Sequence, residues 1–572
     1  MFKVKLIISF LILLFTVSEF FAQTPDWIWA KSARKNGDLN SVAIDNSGNC
    51  YAAGVFGPDS MVFNTTTLSL NWGGTADIFL VKYDPNGNVL WARQSSIVAS
   101  CRAVCIATDA FNNVYMVGDY RGGMALDTVG LTSYPNNNTD NVFVAKFDPN
   151  GPVMWAKRVG GDYYTNSYYL AVDNNGNVFV TGDFIGSYVN FGSITLLNPD
   201  PVNKTGSTFL AKYNTNGNIL WAKNTTGNSV GSNGCWPSAL ATDASGNVYL
   251  TGQFNTSTVG FSSSVSLIKT GLTDVFLTKY NSSGTALWTR KPNGDNYQIA
   301  TGVAVCSNGD ILMTGYFESD TLKFGSTVLT NTQTTIPHEN LFLAKYSSTG
   351  NVTWAKSKGR TKVLSIGIDN LDNTYLLGNY RDSTQFGNNK LKYNNIYGNI
   401  FLAKYNVNGI DLWGKDAILQ KAQTGNSFIM PHSISPRIVN DIYIGGGFDC
   451  KRIKMDSCSL TNWDTTGNSR AILLAKINTT YVGLNEKSLL NSILSVFPNP
   501  FDNQLSIKCS DESNIVFPIK LSIKDVSGKE IKKLTLSERE QKIDVNWLKS
   551  GCYFLEFQVP NSIPFVEKII KK

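Results

Sequence analysis

Enzymes need nucleophiles, acids, bases or metal ligands, and this chain of 572 residues has only two histidines, His338 and His432, neither in a motif such as HExxH. A Ser-His-Asp or His-metal mechanism would need one of them with partners from distant parts of the chain, so both read as loop residues. Carboxylates are placed more regularly: Asp45, Asp109, Asp173, Asp243 and Asp369 each open a short polar turn. An Asp there accepts hydrogen bonds from N–H groups two residues on, and the EF-hand spacing that would suggest calcium is missing. A structural role is therefore expected, with no metal or other cofactor. A lysine column (Lys82, Lys146, Lys212, Lys279, Lys345, Lys404 and Lys476) reads as a solvated or Asp-paired face. A tryptophan column (Trp29, Trp91, Trp155, Trp221, Trp288, Trp354 and Trp413) reads as packing between repeated elements.

Two recurring segments carry these columns. "DIFLVKYDPNGNVLWAR" from Asp77 returns with variations from Asn141, Ser207, Asp274, Asn340 and Asn399, and its alternation around a turn ending in Gly predicts a hairpin. "AIDNSGNCYAAGVF" from Ala43 returns from Ala107, Ala171, Ala241, Ala304, Gly367 and, more weakly, Ser435, predicting a second hairpin. Four strands in roughly 60 to 70 residues make the period of a propeller blade. The Trp and Lys columns both count to seven but out of phase, because Trp29 has no third strand before it and Lys476 no Trp strand after it. If "WIWAK" supplies the outer strand of the last blade, the ring closes and no edge stays half-paired. The expected fold is all-β: a seven-bladed β-propeller closed by an N-terminal outer strand, spanning residues 24–480. Small residues at 43, 107, 171, 241, 304, 367 and 435 fit innermost strands crowding an axis.

Composition agrees, with 42% hydrophobic, 12% aromatic and 16% charged residues favouring strands and turns. The net charge of +7 is spread along the chain, which gives nucleic-acid binding no support. Residues 1–22 read as a signal peptide, with Lys3 and Lys5 before an apolar run too short to span a bilayer and Ala22 at the cleavage point. No transmembrane helix is expected in the mature protein. Of nine cysteines, Cys101 with Cys105 and Cys450 with Cys458 are near enough for disulfides, although strand geometry could equally keep them apart.

"GNVYLTGQF" followed by "FLAKYNTNGNILWAK" resembles the seven-bladed SBBP propeller repeat family, over about Trp27 to Ile477. The fifth repeat departs with Cys306 at the turn Asp position, and the seventh with Arg437 and the insertion "AILQKAQTGNSFIMPHS". After a linker at 481–488, residues 489–572 offer about seven short strands, enough for a small β-sandwich. The series Pro498, Asn499, Pro500, then Asp525 and Gly528, then Gly551 and Tyr553, then Lys571 and Lys572 resembles the type A C-terminal sorting domain of type IX secretion. That resemblance implies a Gram-negative bacterium, transit through the periplasm, the secretion machinery as partner, and release or attachment at the cell surface.

For function, a non-catalytic binding or adhesion module with a glycan or protein ligand is expected, and activity as an enzyme is less so. A carbohydrate-active enzyme using Asp and Glu alone, and a mainly structural surface protein, are the alternatives. The long connections entering repeats three to five carry exposed aromatics beside polar residues, so Asp162, Tyr163, Tyr164, Trp236 and Tyr297 are the candidate contacts. Equally, Tyr168, Tyr169 and Trp236 could plug the axial channel.

Overall fold

The computed structural model describes residues 25–571 except 34–35, 58–59, 71–74, 98–99, 134–138, 203–204, 229–233, 332–338, 393–398, 421–428, 439–440, 463–469, 480–493, 499–500, 510–516, 526–528 and 559–564. The expected signal peptide and linker, and His338, Asn499, Pro500, Gly528 and Lys572, lie outside the described residues. Among those described, every regular element is a β-strand. Two compact units are present, Thr24–Thr480 and one that contains Tyr481–Lys572.

The first repeat shows how the local sequence sets the pattern. Strands β2 (Gly37–Ile44), β3 (Cys50–Phe56), β6 (Asp77–Tyr83) and β7 (Val89–Ile97) pair antiparallel in that order, while β1 (Asp26–Lys31) precedes them and β4 (Met61–Phe63) and β5 (Thr66–Leu68) form a hairpin between β3 and β6. The turns after β2 and β6 close on Gly48 and Gly87, both at φ 81°, a left-handed conformation that favours glycine. Among the described residues, seven arrays of four strands follow this plan, and no sheet closes on itself. Their first strands after β2 are Ser100–Thr108, Thr165–Val172, Cys235–Thr242, Gln298–Val305, Thr361–Ile368 and Ile429–Ile438. Each first strand lies against the next, and Ile429–Ile438 also lies against β2.

Strand β1 pairs with the last lysine strand, Ala471–Asn478, and not within its own repeat. Trp29 stands opposite Lys476 there, as Trp91 stands opposite Lys82 in the first repeat. The half motif at Asp26–Lys31 therefore supplies the fourth strand that the last repeat lacks.

The three columns form one recurring hydrogen-bonded cluster. Asp45 Oδ1 accepts from the Ser47 and Asn49 N–H groups, Oδ2 accepts from Asn49 Nδ2 and the Tyr51 hydroxyl, and Lys82 Nζ lies 3.3 Å from Oδ2. Burial alone would raise the Asp45 carboxyl, but the Asn49 bonds and Lys82 hold it below the ordinary value. The Lys82 ammonium and the Trp91 indole N–H both donate to Pro149 O in the following repeat, and Lys476 and Trp29 both donate to Pro85 O in the first. Trp29, Trp91, Trp155 and Trp221 thus pack between arrays and also stitch them together, whereas the buried Trp413 indole N–H meets no described acceptor.

Both departures from the pattern are compensated locally. Where Cys306 replaces the turn Asp, the residue four further on is Asp310 instead of the usual Asn, and it lies 3.2 Å from Lys345. Where Arg437 replaces it, Asp441 again stands four further on, 2.9 Å from Lys476.

The connections between second and third strands are not simple loops. Gly123–Leu126 pairs with β7 of the preceding repeat, Tyr188–Asn190 with Val153–Gly161, Thr258–Gly260 with Thr226–Asn228, and Arg452–Met455 with Asp411–Gln420. These hairpins extend the outer edges of neighbouring arrays, which blunts edges that would otherwise be open. Cys101, Cys105, Cys450 and Cys458 are all free thiols, so neither suggested disulfide forms. Cys101 Sγ contacts Ser95 and Ala76 O, whereas Cys105 Sγ contacts Ser41 and Leu170 O, which places the two thiols in different surroundings.

In the second unit, one three-stranded sheet orders Leu494–Phe497, Gln504–Cys509 and Glu540–Asp544. A four-stranded sheet orders Glu530–Leu536, Ile519–Lys524, Gly551–Gln558 and Phe565–Lys571. Leu505 and Ile507 of the first share a core with Leu521, Ile523, Leu555 and Phe557 of the second. Lys571 is buried and donates to Asp502 O, Asn503 Oδ1 (3.0 Å) and Val545 O (3.4 Å), tying the last strand to the loop after Pro498. Asp525 accepts from Lys529 N–H across a turn, and the Tyr553 hydroxyl donates to Lys549 O at 2.9 Å.

Candidate functional site

Every first strand in the larger unit carries a β-bulge, which inserts one residue and re-aims its side chain. The inserted residues are Asn40, Val104, Tyr168, Ser238, Thr301, Leu364 and His432. Two positions earlier stand Asp38, Arg102, Asn166, Trp236, Ile299, Lys362 and Met430. These two columns lie three and five residues before the small-residue column, and nearly every repeat puts a different type there.

A cavity of about 840 Å³ opens among the first strands of repeats three to seven. Its wall takes Tyr168, Tyr169 and Trp236 on one side, Ile299 and Thr301 next, then Lys362, Leu364 and Asn379, and Met430 and His432 last. Arg360, Arg381 and Glu339 complete the lining beside Lys362. Antiparallel order puts the leading ends of the first strands on the face where the long connections emerge, opposite the short glycine turns.

Charge is divided around the cavity. Lys362 Nζ lies 3.4 Å from Glu339 and 4.3 Å from the centre of the Tyr316 ring. Burial works against its ammonium, yet Tyr316 and Glu339 hold its pKa above the ordinary lysine value. Arg360 pairs with Asp382 at 2.9 Å, and its carbonyl accepts from the Arg381 N–H. In repeats one to three an acid stands at or opposite the leading end: Asp38 on the first strand itself, and Asp119 and Asp183 on second strands, across from Arg102 and Asn166. Asp38 meets Arg470 and lies 3.4 Å from His432 Nε2, and despite burial its contacts with His432 and Arg470 hold its pKa below the ordinary value. Burial pushes the Asp119 carboxyl up in spite of Arg102 and Ser167, and pushes Asp183 up to about 6 although Asn166 and Tyr168 hydrogen-bond to it.

The sequence-derived candidates separate into two groups. Trp236 lines the cavity with Tyr168 and Tyr169, and these rings flank open volume instead of filling it. Tyr163, Tyr164 and Tyr297 sit just before first strands and outside the cavity lining, with Tyr163 38% and Tyr297 48% exposed. The Tyr163 and Tyr164 rings meet edge to face at 4.4 Å. Asp162 ties the connection together, its Oδ1 accepting from Ser187 N–H at 2.8 Å. His432 corrects an expectation: it lies inside the strand Ile429–Ile438, at a bulge facing the cavity, and not in a loop. Lys362, Arg360 and Arg381 escaped notice, although the variable positions before each small residue carried a readable signal. Among the lining residues Glu339 is the one carboxylate, so the wall does not provide the two acids that glycoside hydrolysis uses. Among the described residues no helix is long and apolar enough to cross a membrane, and no group of three or more His, Cys, Asp or Glu could hold a metal.

The uncharacterized WD repeat-containing protein L264 of Acanthamoeba polyphaga mimivirus is 26% identical over 410 residues, 60% of this chain. The chain spans only 29% of that relative's length. Among solved structures, PorZ, titled an essential bacterial surface component of the type-IX secretion system of Porphyromonas gingivalis, matches with 11% identity and a TM-score of 0.28, over 93% of this chain and 81% of that one. A Synechocystis apocarotenoid oxygenase mutant matches with 10% identity and a TM-score of 0.33, over 79% and 94%. Residues 495–572 match the family of secretion system C-terminal sorting domains, and this domain marks the chain for export by type IX secretion to the cell surface or beyond.

Proposed function

We propose that the chain is an exported binding protein whose larger unit is a closed seven-bladed propeller of the SBBP type. The pairing of β1 with Ala471–Asn478 and the contact of the last first strand with β2 support closure. On this reading a signal at 1–22 is removed, residues 24–480 form the propeller, and residues 489–572 address the protein to the secretion machinery. The ligand, a glycan or a protein, enters the axial cavity from the face of the long connections. Trp236 is its central contact, with Tyr163, Tyr164 and Tyr297 at the rim and Asp162 holding their loop.

One observation carries this reading: two columns that line the cavity in repeats three or four to seven differ from repeat to repeat, while the columns that hold the arrays together change much less. A scaffold position repeats because the same packing problem recurs, whereas a ligand without sevenfold symmetry needs different neighbours on each side. Two measurements test it. Deleting residues 489–572 should abolish surface display, and normal display would refute the sorting role. On a glycan and matrix-protein array, Trp236→Ala should lose whatever the intact protein binds, and undiminished binding would remove the cavity from the proposal.

A further inference from the structure

Resting on the axial-cavity reading, we infer that the ligand is an acidic sugar, its anion a carboxylate or a sulfate ester. Three cations converge on one side of the cavity: Lys362 is paired with Glu339 at 3.4 Å and Arg360 with Asp382 at 2.9 Å, while Arg381 adds a third positive charge. Arg381 is exposed and has no ion pair among the described residues. An arginine fork and a lysine point charge together suit an oxyanion.

Arg360 shows a further sign of selection for the site. Among the described residues six non-glycine residues have positive φ, and five are Asn or Asp: Asn64, Asn112, Asp127, Asp372 and Asp456. The sixth is Arg360, at φ 50° in the tight link between Val352–Gly359 and Thr361–Ile368. Asn and Asp tolerate this region far better than Arg does. Here the Arg360 N–H donates to Asn340 Oδ1 and the guanidinium pairs with Asp382, which holds the strained residue with its side chain at the cavity wall.

The lining from repeats four and five indicates what bears the anion. Trp236 offers an indole face, and Gln253 and Thr301 each hold a buried oxygen that no described group hydrogen-bonds. Both side chains are half-buried and belong to the cavity lining. An amide oxygen needs a donor, which a carboxylate or sulfate cannot supply but a sugar hydroxyl can. A molecule with an apolar ring face, several hydroxyls and a negative charge satisfies all three features. A volume of about 840 Å³ suits a short oligosaccharide or a chain end.

The test uses the full exported chain in calorimetric titrations with oligogalacturonate, a sulfated galactan oligosaccharide, a neutral cello-oligosaccharide and a hexaglutamate peptide. At least one acidic sugar should bind, with affinity falling as salt rises, and the stronger of the two identifies the anion. Arg360→Asn should weaken that binding at least tenfold while leaving the melting temperature unchanged or higher, because Asn accepts the backbone conformation. A lower melting temperature with unchanged binding would make Arg360 structural and overturn its role. Equal binding of the neutral sugar, or a preference for hexaglutamate, would overturn the acidic-sugar inference yet leave the cavity in place if Trp236→Ala still abolished binding. Acidic-sugar binding unaffected by both Trp236→Ala and Lys362→Met would overturn the cavity reading itself. No binding of any probe would overturn the sugar assignment.

Discussion

At the turn end of the first strands, position after position repeats: Asp or its substitute four residues on, a buried Lys across the sheet, and a Trp donating to the next array. At the leading end of the same strands, the residue two positions before the inserted one is Asp, Arg, Asn, Trp, Ile, Lys or Met, depending on the repeat. The two ends are less than ten residues apart and share one backbone ladder. The contrast indicates that the turn end solves the problem of joining arrays, which recurs identically, while the leading end is free of that duty. On the proposed reading, variation inside one chain separates scaffold from site.

The largest effect should come from breaking the turn end where the chain's two termini of the larger unit meet. Trp29 is 8% exposed and its indole donates to Pro85 O, so Trp29→Ala removes a buried ring and an inter-array bond together. A loss of about 3–5 kcal/mol is expected, on the scale of large aromatic truncations. Denaturant unfolding that showed no change would mean that β1 merely rests on the sheet.

A leading-end residue should give the next effect, with the opposite sign. Asp183 is 2% exposed and its pKa is pushed up to about 6, so the folded state holds a proton that the unfolded state has released. That contribution is fully present below about pH 4 and is lost as pH rises through 6. Asp183→Asn should therefore stabilise the protein above pH 6, by up to about 3 kcal/mol, and change little at pH 4. Stabilisation of equal size at both pH values would show that charge burial is not the cause.

The compensation in the fifth repeat sharpens the comparison further. Asp310→Asn leaves the Lys345 ammonium near Cys306 without its carboxylate, and because Asp310 is partly exposed about 2 kcal/mol should be lost rather than the full cost of a buried pair. Adding Cys306→Asp restores the arrangement of the first four repeats and should recover most of that loss. Failure to recover would mean the column needs more than a carboxylate within reach of the lysine.

Much of this was legible in the sequence. Alternation and turn glycines marked the hairpins, and the phase shift between Trp29 and Lys476 foretold the pairing of β1 with the last lysine strand. Those features are local or strictly periodic. The hairpins that lace one array to the next were not legible, since segments such as Gly123–Leu126 and Arg452–Met455 have three or four residues per strand and no common spelling. The cavity was half legible. Trp236 stood out as an aromatic expected in a long connection, but His432 lines the cavity from a bulge, and a one-residue shift moves side chains from one sheet face to the other. Asp162 had the right chemistry for a ligand contact, yet its carboxylate is used on Ser187.

The smallest expected effect is also the one that bears most directly on the contrast between the two ends. Met430 is 39% exposed and pairs across the ladder with Gly447, so little packs against its side chain. Exchanging it for the residue that the third repeat carries at this position, Met430→Asn, removes apolar contact that was already partly in water and introduces an amide that the cavity can hydrate. The change in stability should stay within about 0.5 kcal/mol, the range of substitutions that disturb no packing, cap or buried charge. Thermal unfolding of the single variant, read beside Trp29→Ala in the same buffer, gives the ratio of the two ends directly. A loss above about 2 kcal/mol would show that leading-end residues are packing positions in their own right, and their variety would then record seven different packing solutions instead of one asymmetric ligand.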